Sequence, residues 1–395
     1  MGRISKSKLI SDCKVEFKKI FKCDSQIISI APGRINIIGE HTDYNLGLAM
    51  PQAVDRWICT LISQRSDRNI NIYSSAFEKK QTIDLDDLNK SKQKWQKYIL
   101  GSIQAFNSKH SINTGFNIFI GGNIPIGFGM SSSAALEVSI LYSLMKMLNI
   151  KLEKFEILKL SNLVEKKYLG ISSGMLDQYA SLFSNKNKMM VVDFSILKHR
   201  YFNHSIKNAK WILINSMVSR ELVSSLYNKR VKECKEGLGI INQKLKIKKT
   251  FNEINIDDLS DFHNDSDLKK RLIHLVNENK RVKKMKNAIQ IGNLAMIGEL
   301  LNRSHISLSK NYEVSCKEIE SIIKISRKQI GFYGGRIMGG GFGGCTINLV
   351  EESRVTEFID AVKKHFFTKF KYKIDFEYVN FTDGAMVYLN NKIIV

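Results

Sequence analysis

Two periods of hydrophobic positions run through the chain and divide it into strands and helices. Residues 1–24 place Val15, Phe17, Ile20 and Phe21 among lysines, which predicts a basic amphipathic helix. Residues 26–31 read as a strand that runs into Pro32-Gly33-Arg34, and 35–39 is a separate apolar run ending in glycine. Residues 51–64 and 70–73 also read as strands, and 84–87 as a solvated loop. A helix is expected over 95–106, with Trp95, Tyr98 and Ile99 on one face. The β-branched run 116–120 predicts a buried strand, and 134–148 a helix marked by Leu136, Ile140, Leu144 and Leu148. Helix 155–167 carries Glu165, and a further helix opens near Asp177. Residues 189–194 and 211–215 read as strands, and polar-faced helices fill 221–308. A glycine-rich stretch leads into strand 345–350; helix 355–369 and one or two strands end the chain. Mixed strands and helices of this kind predict an α+β fold. A soft break near 202–209 divides the chain into 1–205 and 206–395.

Composition narrows the class. A chain of 395 residues, 43% hydrophobic and 25% charged, has room for two globular cores. No apolar run reaches membrane-spanning length, and residues 1–19 are charged throughout, unlike a secretion signal. Lys6 stands where a myristoylation signal needs Ser or Thr. Six scattered cysteines lack metal-type spacing and read as reduced thiols. A cytoplasmic location follows as the expectation. The net charge of +23 raises the question of nucleic acid. Its densest patches, 244–249 and 280–286, interleave no aromatics, and the other lysines are spread evenly. Abundant Lys, Ile and Asn match an AT-rich coding bias, so the charge is read as solvated faces without a nucleic-acid partner.

The candidate chemistry lies in three segments. The first, 121–139, runs strand, Gly127-Phe128-Gly129-Met130, Ser131-Ser132-Ser133, helix. Glycines let backbone approach a ligand, and free first-turn amides at a helix N-terminus attract anions. A Walker loop would need Lys after the glycines, and a dinucleotide fingerprint would need glycine at Ser132. Neither fits, so the segment reads as a phosphate site of another kind or as a serine-capped turn. The second segment packs Glu40, His41 and Asp43 into one turn. Its spacing is not that of a zinc site; a polyol pocket and a solvated turn both stay open. In the third, Asp177 begins a helix, as a cap or as an acceptor of a hydroxyl proton. Glu165 lies on the preceding helix, a solvated residue or a magnesium ligand.

Residues 32–45, Pro-Gly-Arg-Ile-Asn-Ile-Ile-Gly-Glu-His-Thr-Asp-Tyr-Asn, resemble the galactokinase signature. Residues 125–138 resemble the phosphate loop of the GHMP small-molecule kinases, and 335–345 their third motif. The resemblance continues in order through 95–101, 175–178, 227–230, 274–281 and 304–307, nearly the whole chain. It implies a two-domain GHMP-kinase-like fold with the active site in the cleft between the domains. It further implies phosphoryl transfer from ATP to the anomeric hydroxyl of galactose by a monomeric, magnesium-dependent enzyme. Glu40, His41, Thr42, Asp43, Gly174, Asp177 and Tyr227 would hold the sugar. Asp177 would be the base or the group orienting the hydroxyl, and Arg34 would hold it and stabilise the transferred phosphoryl group. Residues Gly127, Phe128, Gly129, Met130, Ser131, Ser132 and Ser133 would cradle ATP, with Trp95 and Tyr98 walling the adenine. Ser133 and Glu165 would bind Mg²⁺, and 339–344 would act mechanically. Phe128, Met130 and Met338 depart from the usual pattern, and Phe128 is expected to narrow nucleotide entry. Alternatives are a kinase for another sugar such as N-acetylgalactosamine, or a non-catalytic sugar sensor. The unbroken serine loop favours an enzyme.

Overall fold

The computed structural model describes residues 4–88, 93–171, 173–218, 223–246, 249–263, 266–389 and 392–393. Gly2, Ser172, Glu221 and Lys248, which belong to segments discussed above, lie outside them. The strands in chain order are β1 (Ile27–Asn36), β2 (Leu48–Ala49), β3 (Pro51–Gln64), β4 (Asn69–Ser74), β5 (Lys79–Asp84), β6 (Phe116–Gly122) and β7 (Met189–Asp193). They continue with β8 (Lys198–Phe202), β9 (Ala209–Asn215), β10 (Phe332–Met338), β11 (Cys345–Glu351), β12 (Asp375–Val379), β13 (Met386–Leu389) and β14 (Lys392–Ile393). The helices are α1 (Lys6–Phe21), α2 (Lys94–Asn107), α3 (Ser132–Met147), α4 (Lys154–Leu163) and α5 (Leu176–Phe183). Five more follow: α6 (Val223–Leu245), α7 (Asp267–Ile291), α8 (Leu294–Lys310), α9 (Lys317–Ser326) and α10 (Val355–Phe370).

The largest sheet has the order β14-β13-β1-β3-β6-β4-β5, antiparallel except for the pair β4 and β6. Strand β1 is buried along its whole length because both its faces are covered. Ile28 and Ile30 pack under α1 with Leu9, Cys13 and Phe17, while Ile27 and Ala31 join the core beneath α2, α3, α4 and α5. Val15 faces solvent instead, so the buried stripe of α1 is Leu9-Cys13-Phe17. The strand does not stop at Ala31. It crosses Pro32 on a bulge between Pro32 and Arg34 and ends at Asn36. Bulges are where a sheet tolerates proline, and this one re-aims Arg34. The division expected at 205/206 is crossed at the far end of the chain, where β13 returns to pair with β1 (Ile27 opposite Leu389).

A second sheet, β10-β11-β9-β12, carries α9 and α10 on one face through Ile212, Ile214, Val350, Phe358 and Val362. Its other face, with Leu213, Ile347 and Leu349, packs against α7 and α8. A short sheet, β2-β7-β8, lies between these bodies. Phe128 and Met130, 5% and 1% exposed, enter the same core as Met338. The three unusual residues therefore belong to one buried cluster beneath the loop. Phe128 does not narrow the entry; it is turned away from it.

Candidate active site

Two cavities adjoin one another across a shared wall. The first, about 710 Å³, is lined by Glu40, His41, Asp43, Gly174 and Tyr227. The second, about 660 Å³, is lined by Ile124 to Gly127 and Gly129 to Ser133, with Asn215 across from them. Arg34, Ser133, Asp177, Gly339 and Gly340 line both. Residues from both halves of the chain thus form each wall.

Arg34 and Asp177 stand at this junction for local reasons. The β1 bulge presses against the glycine loop: a Cβ on Gly33 would stand 2.6 Å from the Met130 carbonyl, and Arg34 N donates to that carbonyl at 3.0 Å. The guanidinium then reaches Asp177, with Nε 2.7 Å and Nη2 2.6 Å from Oδ1, while Nη1 donates to the Gly129 carbonyl. Ser131 Oγ donates to the other carboxylate oxygen, Oδ2. Asp177 lies in the first turn of α5, whose N-cap is Met175, so its side chain is not spent on capping. Ser131 holds the left-handed conformation (φ 55°) at the N-cap of α3 with no capping bond of its own. Such strain in a non-glycine residue is kept where surrounding contacts enforce it. Gly127 and Gly129 also have positive φ, which lets the loop turn sharply along the second cavity.

The sugar-type turn is held from the far half of the chain. Arg336, 0% exposed, donates to Glu40 Oε2 at 2.6 Å, to the Ile37 carbonyl at 2.9 Å and to the carbonyls of Asn36 and Ile337. Glu278 accepts from the amides of Gly39 (3.0 Å) and Glu40 (3.4 Å) and from Ser304 Oγ (2.8 Å). Burial would raise its pKa, but Arg281, His274 and Arg336 outweigh that and pull it down to about 2. His274 Nε2 lies 3.1 Å from the Glu40 carbonyl, an acceptor only, so this nitrogen carries the proton. Burial lowers the His274 pKa to about 4, consistent with a neutral ring.

Within the turn, Asp43 Oδ2 accepts from Leu176 N at 3.3 Å, and a Cβ on Gly174 would stand 1.8 Å from that oxygen. Glycine at 174 is what lets α5 and the turn close. Burial raises the Asp43 pKa to about 7, with the Asp177 charge adding to it and backbone amides opposing it. Thr42 lines neither cavity; its hydroxyl, with one hydrogen to donate, lies between the carbonyls of Gly39 (2.8 Å) and Leu48 (2.7 Å). Its place is in the turn's frame.

Glu165 sits beside Ser133 on the first cavity, in a turn of π-type hydrogen bonding at Val164–Tyr168 that ends α4. Burial raises its pKa to about 7, opposed by the Ser173 hydroxyl that donates to it. Tyr98 lines the cavity at the same corner, whereas Trp95 lines neither cavity and stacks on Phe77 at 5.3 Å. In the third motif, Gly339 and Gly340 reach the cavities, while Gly341 and Phe342 are seated against Val314. Sequence reasoning assigned no role to Glu278, Arg336, Tyr312 or Glu137. The last is buried on α3, accepts from Gln178 at 3.1 Å, and burial raises its pKa strongly. The available signals were the family-like stretch 274–281 and the Gly-Gly-Arg at 334–336.

Residues 97–185 match the family model "GHMP kinases N terminal domain", and residues 285–368 match "GHMP kinases C terminal". A mevalonate kinase structure shares the fold, with a TM-score of 0.65 at 20% identity over 90% of this chain and 99% of that one. The architecture is that of the GHMP kinases. Residues 15–64 match "Galactokinase galactose-binding signature". The galactokinase of Clostridium beijerinckii is 34% identical, covering 95% of this chain and 98% of that one. That of Ligilactobacillus salivarius is 35% identical, covering 96% and 99%. The structure of Lactococcus lactis galactokinase complexed with galactose superposes with a TM-score of 0.90 at 33% identity, covering 95% and 99%. The chain belongs to the galactokinase family.

Proposed function

We propose that this chain is a sugar 1-kinase that transfers the γ-phosphoryl group of ATP to the anomeric hydroxyl of α-D-galactose, the entry step of galactose catabolism. The observation that carries the reading is the Arg34–Asp177 pair at the junction of the two cavities. A hydroxyl in the first cavity and a terminal phosphate in the second would meet there. Asp177 accepts or orients the hydroxyl proton at its carboxylate, and Arg34, already bonded to it, stabilises negative charge on the transferring phosphoryl group. Glu40, His41, Asp43 and Tyr227 take the sugar hydroxyls, with Gly174 giving Asp43 room. The amides of the loop from Gly127 to Ser133 cradle the nucleotide phosphates at the positive end of α3.

Magnesium fits the residues present. Glu165 is a buried carboxylate with no ion pair to Lys or Arg among the described residues, and Ser133 lines the same cavity. No group of three or more His, Cys, Asp or Glu suited to a metal occurs among them, in line with an ion that takes its other ligands from phosphate and water. Held by Ser133 and Glu165, the ion would neutralise phosphate charge. The protein is read as a cytoplasmic monomer whose partners are galactose and ATP, with neither nucleic acid nor membrane. No helix among the described residues is long and apolar enough to cross a membrane.

An ADP-release assay across galactose, N-acetylgalactosamine, arabinose and glucose, with the phosphate position read by NMR, tests this. Galactose 1-phosphate as the preferred product is expected. Preference for another sugar would move the substrate, and sugar binding without ADP release would make the chain a sensor.

A further inference from the structure

From the wall of the first cavity a line of polar groups runs inward behind the sugar turn. His41 Nδ1 is 2.8 Å from Tyr44 Oη, Tyr44 Oη is 2.9 Å from Tyr312 Oη, and Tyr312 Oη is 3.2 Å from Cys234 Sγ. Tyr312 is fully buried and belongs to the segment between α8 and α9, 268 residues beyond Tyr44. Its ring also packs on His41 and on His274, with centroids 4.7 and 4.6 Å apart. His41 is itself 4% exposed, lines the first cavity, and its other nitrogen, Nε2, is buried with no partner. A buried ring nitrogen without a partner calls for an explanation, and for a residue of a cavity wall a bound hydroxyl supplies one.

The direction of this line follows from donor and acceptor strength. A neutral imidazole has one donor and one acceptor nitrogen, and the partner of the first decides the role of the second. Burial lowers the His41 pKa well below its ordinary value, with His274, Arg336 and Arg230 adding to it, so the ring is neutral. A phenol is the stronger donor and an imidazole nitrogen the stronger acceptor, so Tyr44 donates to Nδ1. Tyr44 then accepts from Tyr312, and Tyr312 from the Cys234 thiol, which uses each hydrogen once. The opposite direction would end on the thiol sulfur, a weak acceptor. We propose that Tyr312 is a positioning residue which, through Tyr44, holds His41 in the tautomer with its proton on Nε2, as a hydrogen-bond donor to a sugar oxygen. The proposal rests on the reading of the first cavity as a sugar site. It also explains the pairing of groups there: Glu40 and Asp43 accept from hydroxyls, and His41 supplies a donor.

The test combines kinetics with a measurement that needs no substrate. Tyr312→Phe keeps the ring packing and removes the hydroxyl. It is expected to raise KM for galactose roughly tenfold, with kcat and KM for ATP within about twofold of wild type. Tyr44→Phe should shift the same KM further. In ¹⁵N-histidine-labelled protein without ligands, the signal that disappears in His41→Gln should show the Nε2–H pattern, and Tyr312→Phe should convert it to a mixture of tautomers. An Nδ1–H pattern in the wild type, or an unchanged galactose KM in both variants, overturns the proposal. A uniform loss of kcat, both affinities and Tm in Tyr312→Phe would mark a merely structural residue and also overturns it. If the wild type phosphorylates some other sugar, the galactose reading fails while the tautomer measurement still decides the relay.

Discussion

Gly174→Ala adds a single methyl group, and the structure fixes where that group would go. Its Cβ would lie 1.8 Å from Asp43 Oδ2, 2.3 Å from its Cγ and 2.9 Å from Tyr44 N. Gly174 is not among the glycines with positive φ, so alanine is acceptable to the backbone and the effect is purely one of contact. To restore van der Waals distance the carboxylate must retreat by about 1.5 Å, giving up its bond from Leu176 N. A displacement of this size removes a charge-assisted hydrogen bond to the sugar, worth ~1.5–3 kcal/mol, or about a 10- to 150-fold rise in KM for galactose. The nucleotide cavity contains neither Gly174 nor Asp43, so KM for ATP should stay within about twofold. The assay is coupled ADP release with each substrate varied in turn, alongside a thermal melt to show that the fold is intact. A galactose KM within about twofold of wild type in a folded variant would refute the placement of Asp43 in the sugar site.

Three other outcomes are expected. Asp177→Asn should lower kcat by about 10²- to 10⁴-fold while nucleotide binding, read by calorimetry, persists; near-normal turnover would remove Asp177 from the chemistry. Glu278→Gln leaves Arg281 and the Gly39 and Glu40 amides without their carboxylate, and should cost ~3 kcal/mol and lower Tm by several degrees, with an unchanged Tm counting against the network. The pH dependence of stability has two arms with opposite signs. Asp43, raised to about 7, binds a proton in the folded state that it has released in the unfolded state, so its effect is a loss of apo stability as pH rises from about 4 to 7. Glu278, lowered to about 2, contributes stability above its unfolded pKa of 4.5 that disappears as pH falls through 2. Denaturant titrations on wild type and on Asp43→Asn across pH 4–8 check the first arm. Glu165, also raised to about 7, acts with the same sign, so the slope should be reduced in the variant, and an unchanged slope would count against the Asp43 contribution.

What was legible in the sequence is what is local. The turn at Glu40 to Asp43, the loop at Gly127 to Ser133 and the helix start at Asp177 each carry their chemistry within a few consecutive residues. Glycine and serine types there are dictated by backbone conformation, and they can be read without knowing the fold. The bulge in β1 was not legible, because a proline normally argues against a strand interior and the pairing that tolerates it lies on β3. Phe128 misled for a related reason: the buried cluster that takes its ring, with Met338 and residues of the second sheet, forms only when the loop is laid over that sheet. Trp95 has the ring for an adenine wall, but its stacking partner Phe77 lies before a stretch with no strong pattern.

The supports of the sugar turn were hidden for a deeper reason. Arg336 and Glu278 are charged residues in the interior, and a sequence marks charge as solvated unless its partner is known. Their partners across the fold lie 296 and 239 residues away, at Glu40 and Gly39. Burying either alone would cost several kcal/mol; the turn's carboxylate and carbonyls hold Arg336, and the turn's amides hold Glu278 together with Arg281 on its own helix. The converse also holds. Without Arg336 and Glu278, the turn would leave a carboxylate and two amides unpaired in a buried wall. The N-terminal turn and the C-terminal strand and helix therefore stabilise one another, and the sugar-binding geometry is a property of their interface. Substitution at either supporting residue should thus weaken the sugar site and the contact between the two halves together, which neither Asp177→Asn nor Gly174→Ala would do.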